Sequence, residues 1–174
     1  MTNFKRDLNH SISNAKKFIS PALQKMYGNN AKIFSIEGEN NQTARLFDSA
    51  GIDFAVKLSE LTIGVNSRCH KWRDEKTITV REKRHGELSE YYRIKNSIEH
   101  GGIYPKLFAQ AYINGNSAEV GIVETKKLFD FIEHHKVAKF HNQDVNFYSV
   151  KWKDLISEKI PVFTYFITNK KAAD

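Results

Sequence analysis

Gly51-Ile52-Asp53-Phe54-Ala55-Val56-Lys57-Leu58, then Thr62-Ile63-Gly64-Val65-Asn66-Ser67-Arg68-Cys69-His70, then Thr77-Ile78-Thr79-Val80-Arg81-Glu82, is the stretch that decides the fold. Apolar and polar residues alternate with a period of two through all three segments, which is the pattern of half-buried strands. The reading is a meander of three consecutive strands, 52–58, 62–70 and 77–82, the last two joined by the polar loop 71–76.

Working outward, residues 31–36 read as a strand, 37–41 as polar turn material and 42–49 as a helical turn carrying Leu46 and Phe47. Ile12, Ala15, Phe18, Ile19, Leu23 and Met26 fall at helical spacing. Pro21 after Ser20 predicts a division there, with Ser20 as the N-cap of a second short helix and Gly28 closing it. Downstream, 87–99 is a helix with an apolar stripe of Leu88, Tyr91, Tyr92, Ile94 and Ile98, ended by Gly101-Gly102. Strands 104–113 and 118–124 flank Asn114-Gly115, a tight-turn pair that tolerates positive φ. Thr125 caps a helix, a short helix surrounds Trp152, Leu155 and Ile156, and 162–167 is a strand. The aromatic residues crowding the last third are expected to pack these terminal helices on the sheet. The order predicts an α+β (mixed α/β) fold, a central mixed sheet flanked by helices, as one domain over 1–168 with a tail at 169–174.

The 174 residues, 40% hydrophobic and 27% charged, suffice for one buried core. No apolar run approaches the ~20 residues of a membrane span. The early charges Lys5, Arg6 and Asp7 do not suit a secretory signal, so a cytoplasmic location is expected. Cys69 is the only cysteine, which excludes an intramolecular disulfide and a multi-cysteine zinc site. On a strand it reads as a small core residue rather than a nucleophile. His134, His135 and His141 lack the partners of a zinc site.

A net charge of +7 and a pI near 9.4 favour a polyanionic partner. The charge concentrates in the middle: Arg68, Lys71, Arg73, Lys76, Arg81, Lys83 and Arg84, interrupted by Trp72. Cations on a strand and its loop neutralise phosphates and an exposed indole stacks on a base, so Lys71, Trp72, Arg73, Lys76, Arg81, Lys83 and Arg84 are the candidate nucleic-acid contacts. The plainer alternative is a solvated edge with Trp72 folded onto the core.

Period two places Asn66 and Arg68 on one face of their strand, with Asp53 opening the strand before. An acidic residue at a strand start followed on the next strand by polar residues at i and i+2 is the skeleton of a metal-dependent phosphodiesterase site. Without that role, Asp53 is a strand-entry turn residue bonding its own backbone, and Asn66 and Arg68 an exposed strand face.

Over residues 45–125, Asp48, Gly51-Ile52-Asp53, Asn66-Ser67-Arg68, residues 77–81 and Ser89-Glu90 with Ile94 resemble the PD-(D/E)xK nuclease superfamily, in particular its small phage and mobile-element members. The resemblance implies a restriction-endonuclease-like sheet and an endonuclease that cuts DNA with Mg²⁺ or Mn²⁺, working as a homodimer on duplexes. Asp53 would bind metal, Asn66 would occupy the second ligand position, where a carboxylate is usual, and Arg68 would stabilise developing charge. Glu37, Glu82 and Glu90 are the glutamates that could supply the missing carboxylate. Two other classes remain: a non-catalytic nuclease-fold binding or inhibitor module, and a basic protein-interaction domain.

Overall fold

The computed structural model describes residues 3–36, 41–85, 87–142 and 144–169, with side chains from Ser11 onward. Its elements are α1 (Asn3–Tyr27), β1 (Lys32–Ser35), α2 (Gln42–Ser49), β2 (Phe54–Leu58), β3 (Leu61–Lys71), β4 (Thr77–Arg84), β5 (Glu87–Leu88) and α3 (Glu90–Glu99). After these come β6 (Leu107–Asn114), β7 (Ser117–Glu124), α4 (Thr125–His134), β8 (Ala138–Asn142), β9 (Val145–Lys151), α5 (Trp152–Ser157) and β10 (Phe163–Thr168). The fold is mixed α+β. A six-stranded sheet in the order β1-β2-β3-β6-β7-β10 is flanked by helices, and a four-stranded sheet runs β5-β4-β9-β8. Every neighbouring pair in the larger sheet is antiparallel except β3 and β6.

The larger sheet has an apolar layer on each face. On one side Ala15, Phe18, Ile19, Ala22 and Leu23 of α1 cover Val65, Ala109, Ala111, Val120 and Ile122. On the other, Phe108, Tyr112 and Val123 meet Ile78 and Val80 of β4, Tyr91 and Ile94 of α3, Leu128 and Phe129 of α4 and Trp152 of α5. Burying each valine, leucine, isoleucine or phenylalanine among them contributes about 1.5–3 kcal/mol.

The helix expected to divide at Pro21 runs through it unbroken. Proline inside a helix costs about 3 kcal/mol. Ala22 and Leu23 lie fully buried in the same layer as Phe18 and Ile19, and a break would lift one pair off the sheet.

The three-strand meander is corrected as well. β2 and β3 form the expected hairpin, but β4 leaves the sheet to pair with β5 and β9. Its Thr-Ile-Thr-Val run is buried on both faces, as suits a strand between layers. Thr77 and Thr79 face back to the larger sheet through a polar ladder. Thr79 N and Oγ1 donate to Gln110 Oε1 at 2.9 and 3.0 Å, Gln110 Nε2 donates to the Tyr112 hydroxyl at 2.8 Å, and that hydroxyl also accepts from Thr77 N at 2.9 Å.

Smaller differences have equally local causes. The tight turn is Gly115-Asn116, with Asn114 paired to Ser117 and Gly115 at φ +57°. Thr125 begins α4 rather than capping it, because its hydroxyl donates to the Pro105 carbonyl at 2.6 Å. Between α4 and α5, where the sequence suggests no element, Ala138–Asn142 and Val145–Lys151 form β8 and β9. Of the proposed tail, 170–174 lie outside the described residues. No helix among the described residues is long and apolar enough to cross a membrane.

Gly121 sits where β7 passes beneath the Trp152 indole, and a Cβ there would overlap the ring. Gly121→Ala is expected to lower stability by about 1–3 kcal/mol, as overpacking of a tight core does. In a thermal melt the midpoint would fall by several degrees; an unchanged midpoint would show that α5 does not clamp this sheet.

Candidate functional site

β3 changes partners halfway along. From Leu61 to Val65 it pairs with β2; from Val65 to Lys71 it pairs in parallel with β6. β2 begins only at Phe54, opposite Val65, so among the described residues the β2-side edge of β3 beyond Val65 has no strand beside it. A pocket of about 460 Å³ lies along that edge.

Asp53 stands at the break. Its amide donates to the Val65 carbonyl at 2.8 Å, the last backbone bond of the hairpin, and its carboxylate Oδ2 accepts from the Ser67 amide. The side chain thus bonds β3 where β2 has ended, whereas the turn reading expects a bond to Asp53's own backbone. Asp48, near the end of α2, lines the same pocket.

Asn66, Arg68 and His70 lie beside Phe108, Gln110 and Tyr112 on the face turned toward the smaller sheet. Asn66 is 5% exposed. Its Nδ2 donates at 3.0 Å to both the Gly51 carbonyl and Glu90 Oε1, two acceptors that fix the orientation of the amide. Gly51 supports this from a left-handed turn at φ +77°, and a Cβ there would come within 2.9 Å of Arg93 Nη2.

Glu90 begins α3 and is buried. Besides Asn66 it accepts from Arg68 Nη2 at 2.5 Å and from the Arg81 amide at 2.8 Å, both on Oε2. Burial by itself pushes this carboxyl up; Arg68 and the Arg81 amide and guanidinium outweigh it and hold the group below the ordinary glutamate range. One carboxylate therefore joins β3, β4 and α3.

Cations outnumber it. Burial and then Arg68 pull the Arg81 guanidinium below its ordinary range, with Arg84 and Arg93 adding to the effect and Glu90 opposing it. Burial, Arg68 and Arg73 push His70 down to about 4, so it is neutral near pH 7. Asn66 Oδ1, Arg68 Nε, His70 Nε2 and Arg81 Nε are buried without a partner among the described residues, and all four residues line the pocket. Buried polar groups are nearly always satisfied, so this concentration in one pocket singles the place out.

The structure thus brings Asp53, Asn66, Arg68, Arg81 and Glu90 together. Glu82 is elsewhere: it projects from the opposite face of β4 and accepts from Lys139 Nζ at 2.6 Å and the Tyr148 hydroxyl at 2.9 Å. Glu37 lies outside the described residues. Lys71, Trp72, Arg73 and Lys76 cluster at the far end of β3. Arg73 there donates to Thr77 Oγ1 and the Tyr112 hydroxyl, and Lys76 Nζ stands 3.5 Å from the Trp72 ring centroid. Lys83 pairs with Leu88 and Asn146 beyond a bulge, and Arg84 is exposed. Arg93 was not among the expected residues, although its place three after Glu90 on a helix puts the two on neighbouring positions of one face.

Among the described residues no group of three or more His, Cys, Asp or Glu side chains could hold a metal ion. The pocket does offer hard oxygens: the carboxylates of Asp53 and Asp48 and the unpartnered Asn66 Oδ1. That donor set fits Mg²⁺, which is held through one or two carboxylates with substrate phosphate and water completing the shell.

Glu90→Gln removes the buried charge and leaves Arg68 without its partner, so it is expected to cost roughly 3–5 kcal/mol near pH 7. Because the folded carboxyl titrates below the unfolded one, this contribution is fully present above the ordinary value of 4.5 and is lost as pH falls through the folded value. Urea unfolding at neutral pH and at about pH 3 should show the gap between wild type and variant shrinking in acid. A gap that widened in acid would contradict the assignment.

No protein-family model, curated protein or solved structure matches the chain, so the functional reading rests on this pocket.

Proposed function

We propose that the chain binds DNA and hydrolyses its phosphodiester bonds at the pocket beside β3. The observation that carries this reading is the convergence of Asp53, Asn66, Arg68 and Glu90, from three separate places in the sequence, on one cavity lined by further arginines. Asp53 and Asn66 Oδ1 would hold a Mg²⁺ or Mn²⁺ ion, which when bound polarises a phosphoryl oxygen and lowers the pKa of water.

The chain's own groups do the rest. Arg81, Arg84 and Arg93 draw the polyanion in. The Arg68 and Arg81 guanidinium groups line the pocket, and guanidinium groups suit phosphate oxygens. Arg68 stabilises negative charge that builds on the phosphate, a role that suits a planar guanidinium. Glu90 positions Arg68 and Asn66 rather than meeting substrate, since its oxygens accept from Asn66, Arg68 and the Arg81 amide.

That same saturation of Glu90 favours a second reading, a module that binds DNA without cutting it. The two are separated by incubating wild type and Asp53→Ala with duplex, nicked, branched and single-stranded DNA, with Mg²⁺ or Mn²⁺, while recording binding. The expected result is metal-dependent cleavage that falls on the order of 10²-fold in the variant with binding retained. Binding with no cleavage by either protein establishes the module, and neither activity removes DNA from the account.

A further inference from the structure

Beside the pocket, the smaller sheet carries an aromatic surface that the cleavage reading leaves unused. In the β4–β9 register Phe147 is opposite Arg81, and in the β8–β9 register Phe140 is opposite Phe147. Directly opposed residues of neighbouring antiparallel strands share a face, so Arg81, Phe147 and Phe140 form a row. The two phenyl rings stack with centroids 4.9 Å apart and planes 13° apart. The row leads into the pocket, since the Arg68 guanidinium carbon lies 5.6 Å from the Phe147 centroid and both Arg68 and Arg81 line the cavity.

This arrangement works against stability and solubility. Phe140 is 39% exposed on an outermost strand whose residues are exposed throughout. An open aromatic edge strand invites association, and folded proteins usually blunt such edges with charge. Lys139 does not serve that purpose here, because it turns to the reverse face and pairs with Glu82. What the phenyl row has for neighbours is Arg68, Arg81 and, at the next paired position of the same face, Arg84 with Val145.

Flat apolar rings next to guanidinium groups match one occupant closely: a nucleic-acid strand, whose bases offer π-faces and whose phosphates offer charge. A base inside a duplex already has both faces covered by its neighbours, and lifting it out costs energy. An unpaired base has a face to give. We propose that Phe140 and Phe147 form a platform on which an unpaired base stacks while the adjoining phosphate occupies the pocket, so that the strand handled here is single-stranded or splayed at that point. The inference rests on the reading of the pocket as a phosphodiester site and narrows its substrate.

The test uses short single strands carrying 2-aminopurine, and matched duplexes of the same sequence, titrated with wild type, Phe140→Leu and Phe147→Leu in EDTA so that cleavage does not intrude. Leucine keeps the apolar bulk and removes the π-face, and the exposure of Phe140 makes its variant safe for folding. The expected results are tighter binding of single strand than duplex, quenching of 2-aminopurine on binding, and a roughly tenfold weaker affinity for single strand in Phe140→Leu, equivalent to about 1.4 kcal/mol. Binding of DNA with no strand preference, no quenching and no effect of either leucine overturns the platform and leaves the pocket reading intact. Failure to bind any of the DNAs overturns both. A change of sedimentation mass in Phe140→Leu without a change in DNA affinity assigns β8 to self-association and also overturns the platform.

Discussion

Glu90 is a negative charge held out of water, and the site is organised around keeping it satisfied. A carboxylate buried alone would take up a proton, but here Arg68, the Arg81 amide and Asn66 Nδ2 bond it, and it stays charged. These bonds come from β3, β4 and the start of α3, elements that belong to two different sheets and a helix. Removing one partner would strand the others, which makes the constellation cooperative: side chains that touch substrate in the proposed function are aimed by a residue that does not.

The cavity itself follows from strand pairing. β3 spends its first half with β2 and its second half beside β6, and the change leaves a stretch of strand edge with no strand beside it among the described residues. Asp53 meets the Ser67 amide at that step. The polar ladder from Thr79 through Gln110 to Tyr112 then fixes β4 above the larger sheet. This placement brings Arg81 over the uncovered edge and turns Glu82, its neighbour in sequence, to the opposite face with Lys139.

Much of this was legible from residues 51–70, because the faces of β2 and β3 differ in polarity and the alternation therefore reports them. The same logic placed Asn66 and Arg68 together correctly. It failed for β4: a Thr-Ile-Thr-Val run buried on both faces looks the same whichever strand lies beside it, so the sequence could not say that the chain had changed sheets. It failed for β8 because that strand has no buried face to generate a pattern. Pro21 misled because local propensity was outweighed by the burial of Ala22 and Leu23. Among the glutamates considered for the site, Glu90 could be singled out only once the start of α3 and the position of β4 were known, since its role depends on contacts distant in sequence.

The most direct test of the proposed DNA site is hydrogen–deuterium exchange with and without a short DNA strand in EDTA. The account predicts slower exchange along the uncovered β3 edge at 66–70 and along β4 at 81–84, with little change in the loop 71–76. Protection confined to that loop, where Trp72 and Lys76 sit, would place the binding surface at the other end of β3 and contradict the assignment of the pocket.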